Sequence, residues 1–104
     1  MEKYANYIGY SDVYPCEVIR EVSDKTLEIR SMDAERDTSW EPITAPGGFM
    51  GHTINQQSQR WFITRNAENS VFRIRRRKDG RWYDKHSRRY SLSDEPIRFY
   101  DYNF

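Results

Sequence analysis

A single small domain is what this chain of 104 residues predicts: mainly β, an SH3-like barrel or a sandwich of five to seven short strands, with a long irregular middle loop. Three observations carry that expectation. Short segments alternate apolar and polar residues with period 2, the pattern of a strand with one buried face. Turn signals interrupt them roughly every 8–12 positions, as in small barrels and sandwiches. Rings supply the core, since only 37% of residues are hydrophobic yet 15% are aromatic. A buried ring removes about 150–250 Å² from water, so a few compensate for scarce aliphatics. Disordered chains lack such rings, and two domains of half this length would struggle to fill their cores.

The elements follow in order. Residues 4–10 are ring-rich and run into Gly9, Ser11 and Asp12, a turn signal. Residues 15–22 and 26–31 flank Ser23, Asp24 and Lys25; Leu27 and Ile29 alternate with Glu28 and Arg30, so this pair reads as a hairpin. Residues 32–59 read as irregular, with at most a helical turn near Asp33 to Asp37. Two prolines and three glycines between positions 42 and 51 break any continuous element. Strand patterns resume at residues 60–65, where Trp61 and Ile63 alternate with Phe62 and Thr64, and at 71–77, where Phe72 and Ile74 alternate with Arg73 and Arg75. Asp79-Gly80 marks a hairpin turn, residues 81–83 return, residues 90–92 form a short strand, and residues 96–102 are expected as the last strand.

Charge is divided unevenly. Net charge is +1, but residues 1–50 hold five basic and ten acidic side chains, and residues 51–104 hold twelve and six. From Arg73 to Arg89 nine Lys or Arg meet only Asp79 and Asp84. A mean hydropathy of −1.03, the lack of an apolar run near the roughly 18 residues of a membrane span, and no signal-peptide pattern at the start make the cytoplasm the expected compartment, with no membrane partner. One cysteine, Cys16, excludes an internal disulfide.

Several segments resemble a loose group of small phage and prophage proteins. They are Arg76-Arg77-Lys78-Asp79-Gly80-Arg81-Trp82, Tyr90-Ser91-Leu92-Ser93, Phe99-Tyr100-Asp101-Tyr102-Asn103-Phe104, and the earlier Tyr10-Ser11-Asp12, Val18-Ile19 and Leu27-Glu28-Ile29-Arg30. The resemblance covers about two-thirds of the chain. It implies a mobile-element origin, a host-cell setting and a small β fold, and it carries no activity.

Two stretches hold candidate binding residues. In the loop from Gly47 to Gln59, glycines let a backbone approach a ligand closely, His52 could move protons near neutral pH, and Asn55, Gln56 and Gln57 offer paired donors and acceptors. The plainer reading is a crossover whose amides satisfy backbone groups. In the basic stretch, Arg73, Arg75, Arg77, Lys78, Arg81, Lys85, Arg88 and Arg89 interleave with Trp82, Tyr83 and Tyr90. Cations contact phosphates and rings stack on bases, so this pattern suits nucleic acid. Against it, the acidic half could neutralise the cations and the rings could be core.

Catalytic, metal and cofactor signatures are wanting. No Walker loop is present. Cys16, His52 and His86 lack the short paired spacings of zinc sites, and Cys16 reads as a small core residue. The expectation is a non-enzymatic binding module recognising a host macromolecule, protein or nucleic acid. The alternatives are a DNA- or RNA-binding accessory protein using the basic face, or a small enzyme using His52.

Overall fold

The computed structural model describes residues 3–45 and 52–102, with His52 described by its backbone alone. Their strands are β1 (Tyr4–Ile8), β2 (Val13–Tyr14), β3 (Cys16–Ser23), β4 (Thr26–Ser31), β5 (Asp33–Arg36), β6 (Thr44–Ala45), β7 (His52–Thr53), β8 (Trp61–Thr64), β9 (Val71–Arg76), β10 (Trp82–Tyr83) and β11 (Arg89–Ser93). The fold is mainly β, with no α-helix among the described residues. Six strands close an antiparallel barrel in the order β11, β10, β9, β4, β3, β1, with β1 pairing back to β11 and β2 added to β1. The barrel, not the sandwich, is the architecture formed. Closure removes the open edges that an isolated sheet would present.

Alternation decides which side chains fill it. Leu27 and Ile29 of β4 lie opposite Ile74 and Phe72 of β9, and Leu27, Ile29 and Ile74 are fully buried. Ala5, Cys16 and Tyr90 complete the buried core, with Tyr7, Val18, Phe72, Trp82 and Leu92 packed against it. A core isoleucine of this kind stabilises by about 2–5 kcal/mol relative to alanine. Strand β3 slips register between Val18 and Arg20 and between Glu21 and Ser23. Such bulges add twist and curvature, and they leave Ile19 and Val22 exposed.

Two hairpin turns shape the face discussed below. In the first, the Gly80 N–H donates to Arg77 O, the Arg77 N–H donates to Arg81 O, and Gly80 has φ +79°. In the second, the Ser87 N–H donates to Asp84 O, the Asp84 N–H donates to Arg88 O, and Ser87 has φ +63°. Both combine a tight turn with a left-handed residue and a bulge.

Three local expectations are corrected. The helical turn at Asp33 to Asp37 is instead mostly strand β5, paired with β8 from Asp33–Thr64 to Arg36–Trp61. Ala, Glu and Arg favour helix, but one turn cannot nucleate a stable helix alone. Asn66 and Asn69 meanwhile donate to the Asp33 carboxylate at 2.8 and 3.3 Å. The middle is therefore less irregular than expected, since β5, β6, β7 and a 3₁₀ turn at Gln56–Ser58 fall within residues 32–59; residues 46–51 lie outside the described ones. The last strand does not form. Residues 96–102 make a single bridge, Phe99 to Val13, and side chains do the rest: Asn6 Oδ1 accepts from Ile97 N, Gln59 Oε1 from Tyr100 N, Asp12 Oδ1 from Asp101 N and Gln56 Oε1 from Tyr102 N, all at 2.9–3.0 Å.

Candidate functional site: a basic groove beside an aromatic cavity

Antiparallel pairing sets β9 beside β10 and β10 beside β11, so the outward face of β9, from the Arg77 turn down, runs alongside the Asp84–Arg88 turn. A groove of about 570 Å³ opens there, lined by Phe72, Arg73, Arg75, Arg77, Tyr83, Asp84, Lys85, His86 and Arg88. Five of the eight basic-stretch residues singled out from the sequence thus converge. The other three do not: Lys78 lies beside Lys25 and Arg76 at the opposite turn, while Arg81 and Arg89 flank Trp82 and Leu92.

The groove's frame is one carboxylate. Asp84 is buried and its oxygens accept from His86 N at 2.8 Å, Arg88 N at 3.1 Å, Arg88 Nε at 2.7 Å and the Tyr90 hydroxyl at 2.9 Å. Burial works to raise its pKa, but the combined bonds from Arg88, Tyr90 and His86 outweigh it and hold the carboxyl below the usual range. Asp84 therefore stays charged, pins the turn and fixes Arg88, whose guanidinium stands 5.7 Å from the Tyr7 ring centre.

The cations differ in their partners. Arg88 is paired with Asp84, and Arg73 Nε reaches Glu28 at 3.3 Å. Arg75, Arg77 and Lys85 make no ion pair among the described residues. The Arg77 guanidinium stands over the Tyr83 ring, 4.3 Å from its centre, and donates to the Ser87 hydroxyl at 2.9 Å. The Tyr83 hydroxyl donates to Asp79 at 2.6 Å. Of the three rings in the stretch, only Tyr83 faces the groove; Tyr90 is core and Trp82 packs against it.

A second cavity, of about 650 Å³, adjoins the groove and shares Phe72 and Arg88 with it. Tyr7, Tyr14 and Tyr90 line it, with Arg98 at one side. Arg98 is half-buried between Tyr14 and Trp61, 4.5 and 4.7 Å from their centres, and donates to the carbonyls of Val13 and Phe99 at 3.3 and 2.5 Å. Sequence reading missed Tyr7, Tyr14, Phe72 and Arg98 as wall residues, because only closure of the barrel and the tail bridge bring them together. The one signal present was the density of rings itself.

The middle-loop residues are used differently. Asn55 Oδ1 accepts from Ile43 N at 2.7 Å and its Nδ2 donates to Glu41 O at 2.8 Å. Gln56 holds Tyr102. These amides satisfy backbone groups; Gln57 is exposed, and the His52 side chain lies outside the described residues. Cys16 is buried at the floor of the aromatic cavity. Burial pushes its thiol up to about 11 against a weak lowering by Ser31, so at neutral pH it is a thiol and a poor nucleophile.

Comparison of the chain with protein-family models, with curated proteins and with solved structures finds no match. No helix among the described residues is long and apolar enough to cross a membrane.

Proposed function

We propose that the protein is a non-enzymatic binding module of phage or prophage origin, acting in the host cytoplasm on an SH3-like scaffold, and that it holds single-stranded nucleic acid in the basic groove. The observation that carries this reading is the trio Arg75, Arg77 and Lys85, in no ion pair among the described residues and gathered beside an aromatic ring in one concave surface. Guanidinium groups bind phosphate oxygens in a forked geometry. The Arg77 guanidinium over the Tyr83 ring offers a base a planar group on which to stack.

An acidic host protein would meet the same cations but gains nothing from the ring platform. Fluorescence anisotropy with a labelled single-stranded oligonucleotide separates the two. Binding that unlabelled oligonucleotide reverses, and polyglutamate of equal charge does not, is the expected result. Equal displacement by polyglutamate, or no oligonucleotide binding at low salt, rules the nucleic-acid reading out.

A further inference from the structure

We propose that the aromatic cavity beside the groove takes one unstacked nucleobase of the strand held in the groove. This rests on the reading just given and deepens it. Phe72 and Arg88 are walls of both cavities, so a strand on the cations passes the mouth of the second. Arg88 is held by Asp84 at that boundary, where it can take the phosphate next to an inserted base.

The cavity is built for a flat ring. Tyr7 lies 5.7 Å from Tyr14 and 5.6 Å from Tyr90, and Phe72 lies 5.9 Å from Tyr90, all tilted. The cavity's size falls within the roughly 300–1,000 Å³ of small-ligand sites. The rim is fixed: Arg98, itself a wall of the cavity, stands over the Tyr14 ring at 4.5 Å, and pre-set walls lower the ordering cost of binding. The Ser31 hydroxyl, whose partner is the weak Cys16 thiol at 3.9 Å, gives the wall a polar atom for a base edge.

The test uses the full chain and single-stranded oligonucleotides of about eight nucleotides, as DNA and as RNA, with one abasic position stepped along the strand. One position is expected to weaken binding roughly 5- to 150-fold, the range for stacking one base on aromatic side chains, while the salt dependence stays the same because every phosphate remains. Tyr14→Ala, at the 42% exposed rim, should erase that positional penalty, and Tyr14→Phe should keep it. Should every abasic position cost the same while binding persists, the cavity proposal falls and the groove reading stands. Should no oligonucleotide bind at all, both fall. Insertion of a peptide ring instead would appear as a Trp-bearing acidic peptide whose affinity drops in Tyr14→Ala while the abasic series stays flat, and that also overturns it.

Discussion

The β3–β4 face and the β9–β11 face of the same barrel carry arginines to opposite effect. On the first, two carboxylates, Glu17 and Glu28, each pair with two guanidinium groups. Glu17, almost fully buried, accepts from Arg30 at 2.6 Å and is ion-paired with Arg65 at 3.0 Å; Glu28 accepts from Arg20 at 2.7 Å and Arg73 at 3.3 Å. On the second, Asp84 pairs with Arg88, Arg77 lies near enough to Asp79 to lower its pKa without pairing with it, and Arg75 and Lys85 are in no ion pair among the described residues. The acidic half thus reaches one of the eight basic-stretch residues, Arg73. Cation counts along a chain do not measure a binding field; what matters is which cations the strand pairing leaves out of ion pairs.

The largest expected effect lies at Asp84. Asp84→Ala leaves the buried Tyr90 hydroxyl and two backbone N–H groups without their acceptor, and should cost about 2–4 kcal/mol in denaturant unfolding. Because the folded pKa of Asp84 is lowered, the wild-type advantage over this variant should be complete above about pH 5. The part of it carried by the charge should fall off as pH drops below about 3.9 toward the lower folded value, while the neutral acid keeps accepting some of these bonds. An advantage that persists unchanged at pH 2 would show that Asp84 is not the pin of the basic turn.

Arg75→Ala sharpens the contrast next. It should weaken oligonucleotide binding several-fold across all sequences and reduce the salt slope by about 0.7, the share of one phosphate on a single strand. Arg20→Ala, on the paired face, should leave both unchanged, read by the same anisotropy titration. Within the basic face the two turns also differ, because Gly80 takes its positive φ freely while Ser87 takes its own against steric resistance. Ser87→Gly should raise stability by about 0.5–1 kcal/mol, less whatever the exposed Arg77 bond contributed. Smallest is Glu28→Gln, which releases Arg20 and Arg73 at the surface. Its unfolding midpoint should barely move, while oligonucleotide affinity rises slightly as Arg73 is freed toward the groove.

Most of the barrel was legible in the sequence, and for a physical reason: period 2 is local. Leu27, Ile29, Phe72 and Ile74 announced their inward face, and Asp79-Gly80 its hairpin. Strand β5 was not legible, because its Ala, Glu and Arg favour helix and only the distant Trp61–Thr64 partner overrides them. The tail was misread because its rings resemble a strand, whereas Asn6, Asp12, Gln56 and Gln59 replace most of the ladder with side-chain acceptors. For the candidate site, the basic stretch was visible and its sorting into five convergent and three divergent residues was not. That sorting depends on two turns and on which strand β9 pairs with. The aromatic cavity, assembled from β1, β2, β9 and β11, leaves no mark at short sequence range.

The most direct test is the salt dependence of single-strand binding by wild type and by the combined Arg75→Ala, Arg77→Ala, Lys85→Ala variant. Wild type should show a log–log slope of roughly −2 to −3.5, for three to five phosphates neutralised at about 0.7 each, and the variant a slope shallower by about 2, the share of three phosphates, with much weaker affinity. A wild-type affinity indifferent to salt, or a variant that keeps the wild-type slope, would contradict the claim that these three unpaired cations form the binding surface.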